Sequence, residues 1–113
     1  MAALVVLCAC TSGEDRLASD EREAQDVTVG ECGVDDVGRM SLELVVVNGS
    51  SRRSAYSLRV AFTSPDGSVQ YDVDSVHVPA LEPGQRRDTL ARSYQDTPGE
   101  FDCELVGVER YRD

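Results

Sequence analysis

His77 is the only imidazole in the chain. In the run Asp74-Ser75-Val76-His77-Val78 it has a hydroxyl and a carboxylate within three residues, which are the ingredients of a nucleophile, a base and an orienting acid. The alternation of Val76, His77 and Val78 turns the imidazole away from its apolar neighbours, so a solvent-facing strand position is expected. Carboxylate pairs offer a second chemistry. Asp72 and Asp74 share one face of an alternating segment, and Asp35-Asp36 sits in a turn composition. Calcium takes about 6–8 oxygen ligands, usually gathered by a loop with regular Asp and Asn spacing. No segment here has that spacing, so no metal site is expected. Asn48-Gly49-Ser50 has the N-glycosylation pattern, but Asn-Gly is first a turn signal. Arg52-Arg53 and Arg86-Arg87 could form local basic patches for an anionic partner, with solvated loop charges as the plainer interpretation. No catalytic residue and no cofactor are expected.

These residues belong to a chain of 113 residues, which fits one domain. Eleven arginines stand against 21 acidic residues, for a net charge of -10. That balance gives no support to the phosphate-backbone attraction behind nucleic-acid binding, so DNA and RNA are excluded as partners. It also argues against attachment of the whole chain to anionic lipid by charge alone.

The apolar run Met1 to Cys10 is shorter than the roughly 20 residues that span a bilayer. Its end, Leu7-Cys8-Ala9-Cys10, has an aliphatic residue at -3, small residues at -2 and -1, and then Cys, and it resembles the lipobox of bacterial lipoproteins. The resemblance implies residues 1–9 as a signal peptide cleaved before Cys10 and a diacylglyceryl group on the Cys10 thiol. It thereby places the protein at the extracytoplasmic face of a cell membrane, with the lipid bilayer as its partner. No basic residue precedes Cys10, whereas a secretory signal opens on one, so the signal is expected to extend upstream of Met1. Residues 10–26 are polar and acidic, the composition of a disordered tether.

With Cys8 in the cleaved segment and Cys10 acylated, Cys32 and Cys103 remain. They lack the C-x₂-C or Cys/His spacing of a metal site. A disulfide between them is the economical reading, and two unpaired buried thiols are the alternative. Such a bridge would clip the two ends of the folded segment together, unlike the bridge between sheets in antibody domains.

From Val27 onward the dominant period is two. Leu42, Leu44 and Val46 fall on one face of Ser41 to Val47, and Tyr56, Leu58, Val60 and Phe62 on one face of the next strand. Asn48 to Ser54 between them suits either a crossover between sheets or a loose hairpin. Ser64-Pro65-Asp66-Gly67 is the strongest hairpin signal and leads into Ser68 to Asp74. Val76 to Val78 forms a short strand stopped by Pro79. Leu81 is expected to plug the core beside the Pro83-Gly84 turn. Charges crowd Arg86 to Tyr94, as suits an edge strand. Thr97-Pro98-Gly99 turns the chain into a last strand, Phe101 to Tyr111, with Phe101, Cys103 and Leu105 on one face. Val27 to Val34 comes first, and no segment has helical periodicity. The expectation is an all-β, antiparallel immunoglobulin-like β-sandwich of about seven strands over residues 27–113.

The order of Cys in strand one, an aliphatic strand ending in Asn48-Gly-Ser-Ser, Tyr56-x-Leu-x-Val-x-Phe62, Pro65-Asp-Gly67, Leu81-x-Pro-Gly-Gln85 and Phe101-x-Cys103 resembles the small Ig-like domains of secreted bacterial lipoproteins, the FxLYD type and its relatives. The resemblance covers about residues 27–110. It implies a surface location and a non-enzymatic role in protein interaction with an unidentified protein partner. The alternative function is a small-ligand or ion-binding accessory subunit of a membrane transporter, which would need a cavity lined by convergent polar groups.

Overall fold

The computed structural model describes residues 24–112. Six strands follow one another: β1 (Val27–Val34), β2 (Arg39–Val47), β3 (Ser54–Thr63), β4 (Gln70–Leu81), β5 (Arg86–Asp96) and β6 (Asp102–Arg112). They form two antiparallel three-stranded sheets, ordered β1-β2-β5 and β4-β3-β6. The central strands are the ones with the cleanest apolar alternation. Leu42, Leu44 and Val46 of β2 face Tyr56, Leu58, Val60 and Phe62 of β3, and all seven are almost fully buried in one core. Leu81 closes that core at one end, as expected, with none of its surface exposed.

Two connections are hairpins within a sheet, β1–β2 and β3–β4. In the second, Gly67 N–H donates to the Ser64 carbonyl at 2.9 Å, and Gly67 takes a φ of +78°, a conformation that side chains with a Cβ disfavour. The other three connections cross between sheets, which settles the Asn48 to Arg53 segment as a crossover. β5 lies at a sheet edge, in line with its charges.

The count is six strands, not seven. Ser68 to Asp74 and Val76 to Val78 belong to the single strand β4, which continues through Pro79 to Leu81. Pro79 does not stop it, because β4 is an edge strand and a missing N–H there costs no ladder bond. The register against β3 also slips between Tyr56↔Val78 and Ser54↔Leu81, so the irregularity falls at Pro79-Ala80. A second irregularity, between Arg59↔Gly107 and Val60↔Leu105, leaves Val106 of β6 unpaired and half exposed.

Cys32 and Cys103 are joined, with Cα atoms 5.8 Å apart. The bridge clips β1 to β6, and because those strands lie in different sheets it is an inter-sheet bridge after all. It differs from an antibody-type bridge in tying edge to edge and not centre to centre. The 71-residue separation implies about 4 kcal/mol of stabilisation in the chain-entropy model. Replacing both cysteines by alanine is expected to lower the urea-unfolding free energy by about 3–5 kcal/mol while leaving the strand content unchanged by circular dichroism. A loss below about 1 kcal/mol would show that the bridge adds nothing to the tie between the sheets.

Candidate functional site

One end of the sandwich gathers the start of β1, the β2–β3 crossover, the β4–β5 turn and the end of β6, as the pairs Val27↔Val46, Val47↔Arg86, Ser54↔Leu81 and Ser54↔Arg112 require. A network of buried polar side chains closes it. Asp26, immediately before β1, is 8% exposed. Its Oδ2 accepts the Tyr56 hydroxyl at 2.5 Å and the Arg110 Nη1 at 2.9 Å. Its backbone carbonyl accepts Val47 N–H at 2.8 Å. The approach is so close that a Cβ on Gly49 would meet Asp26 Oδ1 at 2.7 Å, so this position admits no side chain without displacing the carboxylate. Asn48, buried in turn, donates Nδ2–H to the carbonyls of Arg52 and Leu81 at 2.7 and 2.8 Å, and its Oδ1 accepts Ser50 N–H at 2.9 Å. Asn48 therefore knots the crossover to the end of β4, and its role in the fold is that of a buried cap.

Above this network lies an open cleft of about 360 Å³ lined by Ser50, Ser51, Arg52, Ser54, Arg110 and Arg112. The Ser50 and Ser54 hydroxyls donate to the Arg52 carbonyl at 2.9 and 3.0 Å and so hold the loop in shape. The guanidinium groups of Arg52 and Arg112 make no ion pair among the described residues, whereas Arg110 is anchored by Asp26. Arg52 and Arg112 line this cleft beside the anchored Arg110, and guanidinium groups recognise oxyanions. A larger concavity of about 710 Å³ lies on the outer face of β4-β3-β6, where Ser57, Arg59, Ser75 and Glu109 line it and His77 does not.

His77 is exposed on β4 opposite Ser57. Asp72 and Asp74 instead serve the fold. Asp72 Oδ2 accepts Ser93 Oγ–H at 2.7 Å and Tyr94 N–H at 3.2 Å, and Asp74 Oδ2 accepts Arg92 N–H at 2.9 Å. These carboxylates cap two backbone N–H groups on the outer edge of β5 and join the two sheets where β4 and β5 run side by side. Asp35 Oδ1 accepts Val37 and Arg39 N–H within its turn, and Arg92 Nε lies 3.0 Å from the other oxygen. Arg53 reaches Glu82 at 3.5 Å and Arg86 reaches Asp88 at 2.9 Å. Cys10 lies outside the described residues. Asp26, the last residue of the expected tether, is buried, and its partners Tyr56 and Arg110 stand 30 and 84 residues away. No local sequence signal marks that acid as different from its neighbours.

Burial, then the hydrogen bond and charge of Asp26, hold the Tyr56 phenol well above its ordinary range. The hydroxyl of Ser64, then the N–H and hydroxyl of Ser68, draw Asp66 down to about 2 from 3.8. The Arg39 N–H, which outweighs the opposing effect of burial, lowers Asp35 too. Stability that depends on Asp66 is therefore complete above about pH 4 and is lost as pH falls through about 2. At the alkaline end the sign reverses. Tyr56 is held protonated in the fold, so its contribution is complete below pH 10 and is lost as pH climbs beyond it and the unfolded phenol ionises. In an alkaline titration followed by tyrosinate absorbance, Tyr56 is expected to withhold its share of the signal until the domain unfolds, and Tyr56→Phe to remove that late step. A full tyrosinate signal from the folded protein would contradict the buried hydrogen bond. No known protein family, curated protein or solved structure matches this chain.

Proposed function

We propose that the chain is an extracytoplasmic lipoprotein, held at the outer face of a cell membrane by a lipid on Cys10, whose Ig-like domain acts as a non-enzymatic protein-interaction module. The observation that carries the location is the Cys32–Cys103 disulfide, since such bridges persist in oxidising compartments. It agrees with the lipobox-like Leu7-Cys8-Ala9-Cys10, which directs export on independent grounds. The interaction role is supported by where the polar side chains are used. Asp26, Asn48, Asp72 and Asp74 bond the strands to one another, and His77 stands apart from both concavities.

A second reading, a small-ligand or ion-binding accessory subunit of a membrane transporter, is favoured by one specific observation. The cleft under Arg52 and Arg112 is lined by convergent polar groups, which a subunit that captures an anion would require. Exposed aromatic residues give no counterweight, because Tyr94 and Tyr111 lie on different sheets.

Intact mass of the protein extracted by detergent from its native membrane tests the location. The expected species begins at Cys10, carries added acyl groups, and gains about two hydrogens on reduction. An unprocessed, unacylated species would remove the membrane anchor.

A further inference from the structure

Most arginines of the sandwich gather at one end. Arg52, Arg53, Arg86, Arg87, Arg110 and Arg112 lie at the end where the chain arrives from Cys10, as the strand register places them. The opposite end, made of the three other turns, carries Asp35, Asp36, Asp66, Asp96, Glu100 and Asp102. Strands of 8 to 12 residues, at about 3.3 Å per residue, separate the two ends by roughly 25–40 Å. At 0.1 M salt the Debye length is about 10 Å, so the distal acids are screened from anything touching the arginine end. Net charge is therefore the wrong guide to what that end attracts.

Acids are present at the arginine end too, with Asp113 next to Arg112 in the sequence, and several of them are committed. Glu82 pairs with Arg53, Asp88 with Arg86 and Asp26 with Arg110, and Glu109 takes the Tyr111 hydroxyl. Arg52, Arg87 and Arg112 make no ion pair among the described residues, and Arg52 and Arg112 flank the 360 Å³ cleft. Cys10 precedes Asp26, the buried residue at this end, by sixteen positions in the sequence. A lipid on Cys10 would hold this end closer to the bilayer than any other part of the domain.

We infer that the arginine end docks against the phosphate headgroups of anionic lipid, so that the domain stands on the membrane with its acidic end outward. This rests on the lipid-anchor reading for its geometry, but the charge distribution does not depend on acylation, and the two can fail separately. Each surface arginine near an anionic bilayer is worth roughly a fivefold gain in partitioning.

The test uses the full chain purified without acylation, so that the acids of the preceding segment (Glu14, Asp15, Asp20, Glu21 and Glu23) compete as they do in the native protein. It is sedimented with vesicles of phosphatidylcholine alone or mixed with phosphatidylglycerol. Binding is expected only with phosphatidylglycerol, to weaken steeply with added salt, and to fall about 25-fold in the double variant Arg52→Ser/Arg112→Ser. The charge-matched double variant Arg39→Ser/Arg59→Ser, with one site at the far end and one in mid-sheet, is expected to bind as the parent does. Thermal unfolding of both variants checks that they fold. Equal loss in the two pairs, equal binding to both lipids, or no binding of the parent would overturn the inference. An unacylated native mass beside selective vesicle binding would refute the anchor alone.

Discussion

A carboxylate taken out of water must be paired, and in this protein the requirement falls on Asp26. Its Oδ2 holds the Tyr56 hydroxyl and the Arg110 guanidinium together, which joins the residue before β1 to the centre and the edge of the opposite sheet. Removing one partner of such a pair leaves the other charge buried and uncompensated, at a cost of about 3–5 kcal/mol where burial is complete. Arg110 is about a quarter exposed, so its share of that cost is moderated by solvent. The geometry around the carboxylate follows from it. Gly49 is close because nothing larger fits, and Asn48 turns inward to bind the loops that pass over Tyr56.

The remaining difficulty for two small sheets is their edges. Each sheet has only one central strand, so four of six strands expose one row of backbone donors and acceptors. The protein treats its two open sides differently. Between β1 and β6 a covalent bridge joins the sheets. Between β4 and β5 the side chains of Asp72 and Asp74 accept the backbone N–H groups of β5. The second device consumes the carboxylates that otherwise offer the best oxygen ligands for a cation.

Much of this layering was legible in the residues. Alternation of apolar and polar positions located β2 and β3 closely, because each has one face in the core and the period of two is then enforced. It failed at β4, where Pro79 reads as a stop. Only the pairing of β4 at an edge, which depends on strand order, makes Pro79 harmless. Strand order was also what kept the Cys32–Cys103 bridge from being read as inter-sheet. The closing network was invisible for a related reason. Asp26 lies in a polar acidic run, and its burial is decided by residues distant in sequence. Asp72 and Asp74 were legible as sharing one strand face, but not as partners of β5, because no local pattern distinguishes water from the edge of a neighbouring sheet.

The same end of the fold thus contains the buried acid that fixes its loops and the exposed arginines that give it a charge of its own. Whether Asp26 and Tyr56 act as one unit is the point on which that organisation depends. A double-mutant cycle with Asp26→Ala, Tyr56→Phe and the combined variant, each unfolded in urea, measures it directly. The predicted result is a coupling of at least about 1 kcal/mol, with the double variant less destabilised than the two single losses together. Additivity within about 0.5 kcal/mol would contradict it and would leave the hydrogen bond between them as a contact without energetic consequence.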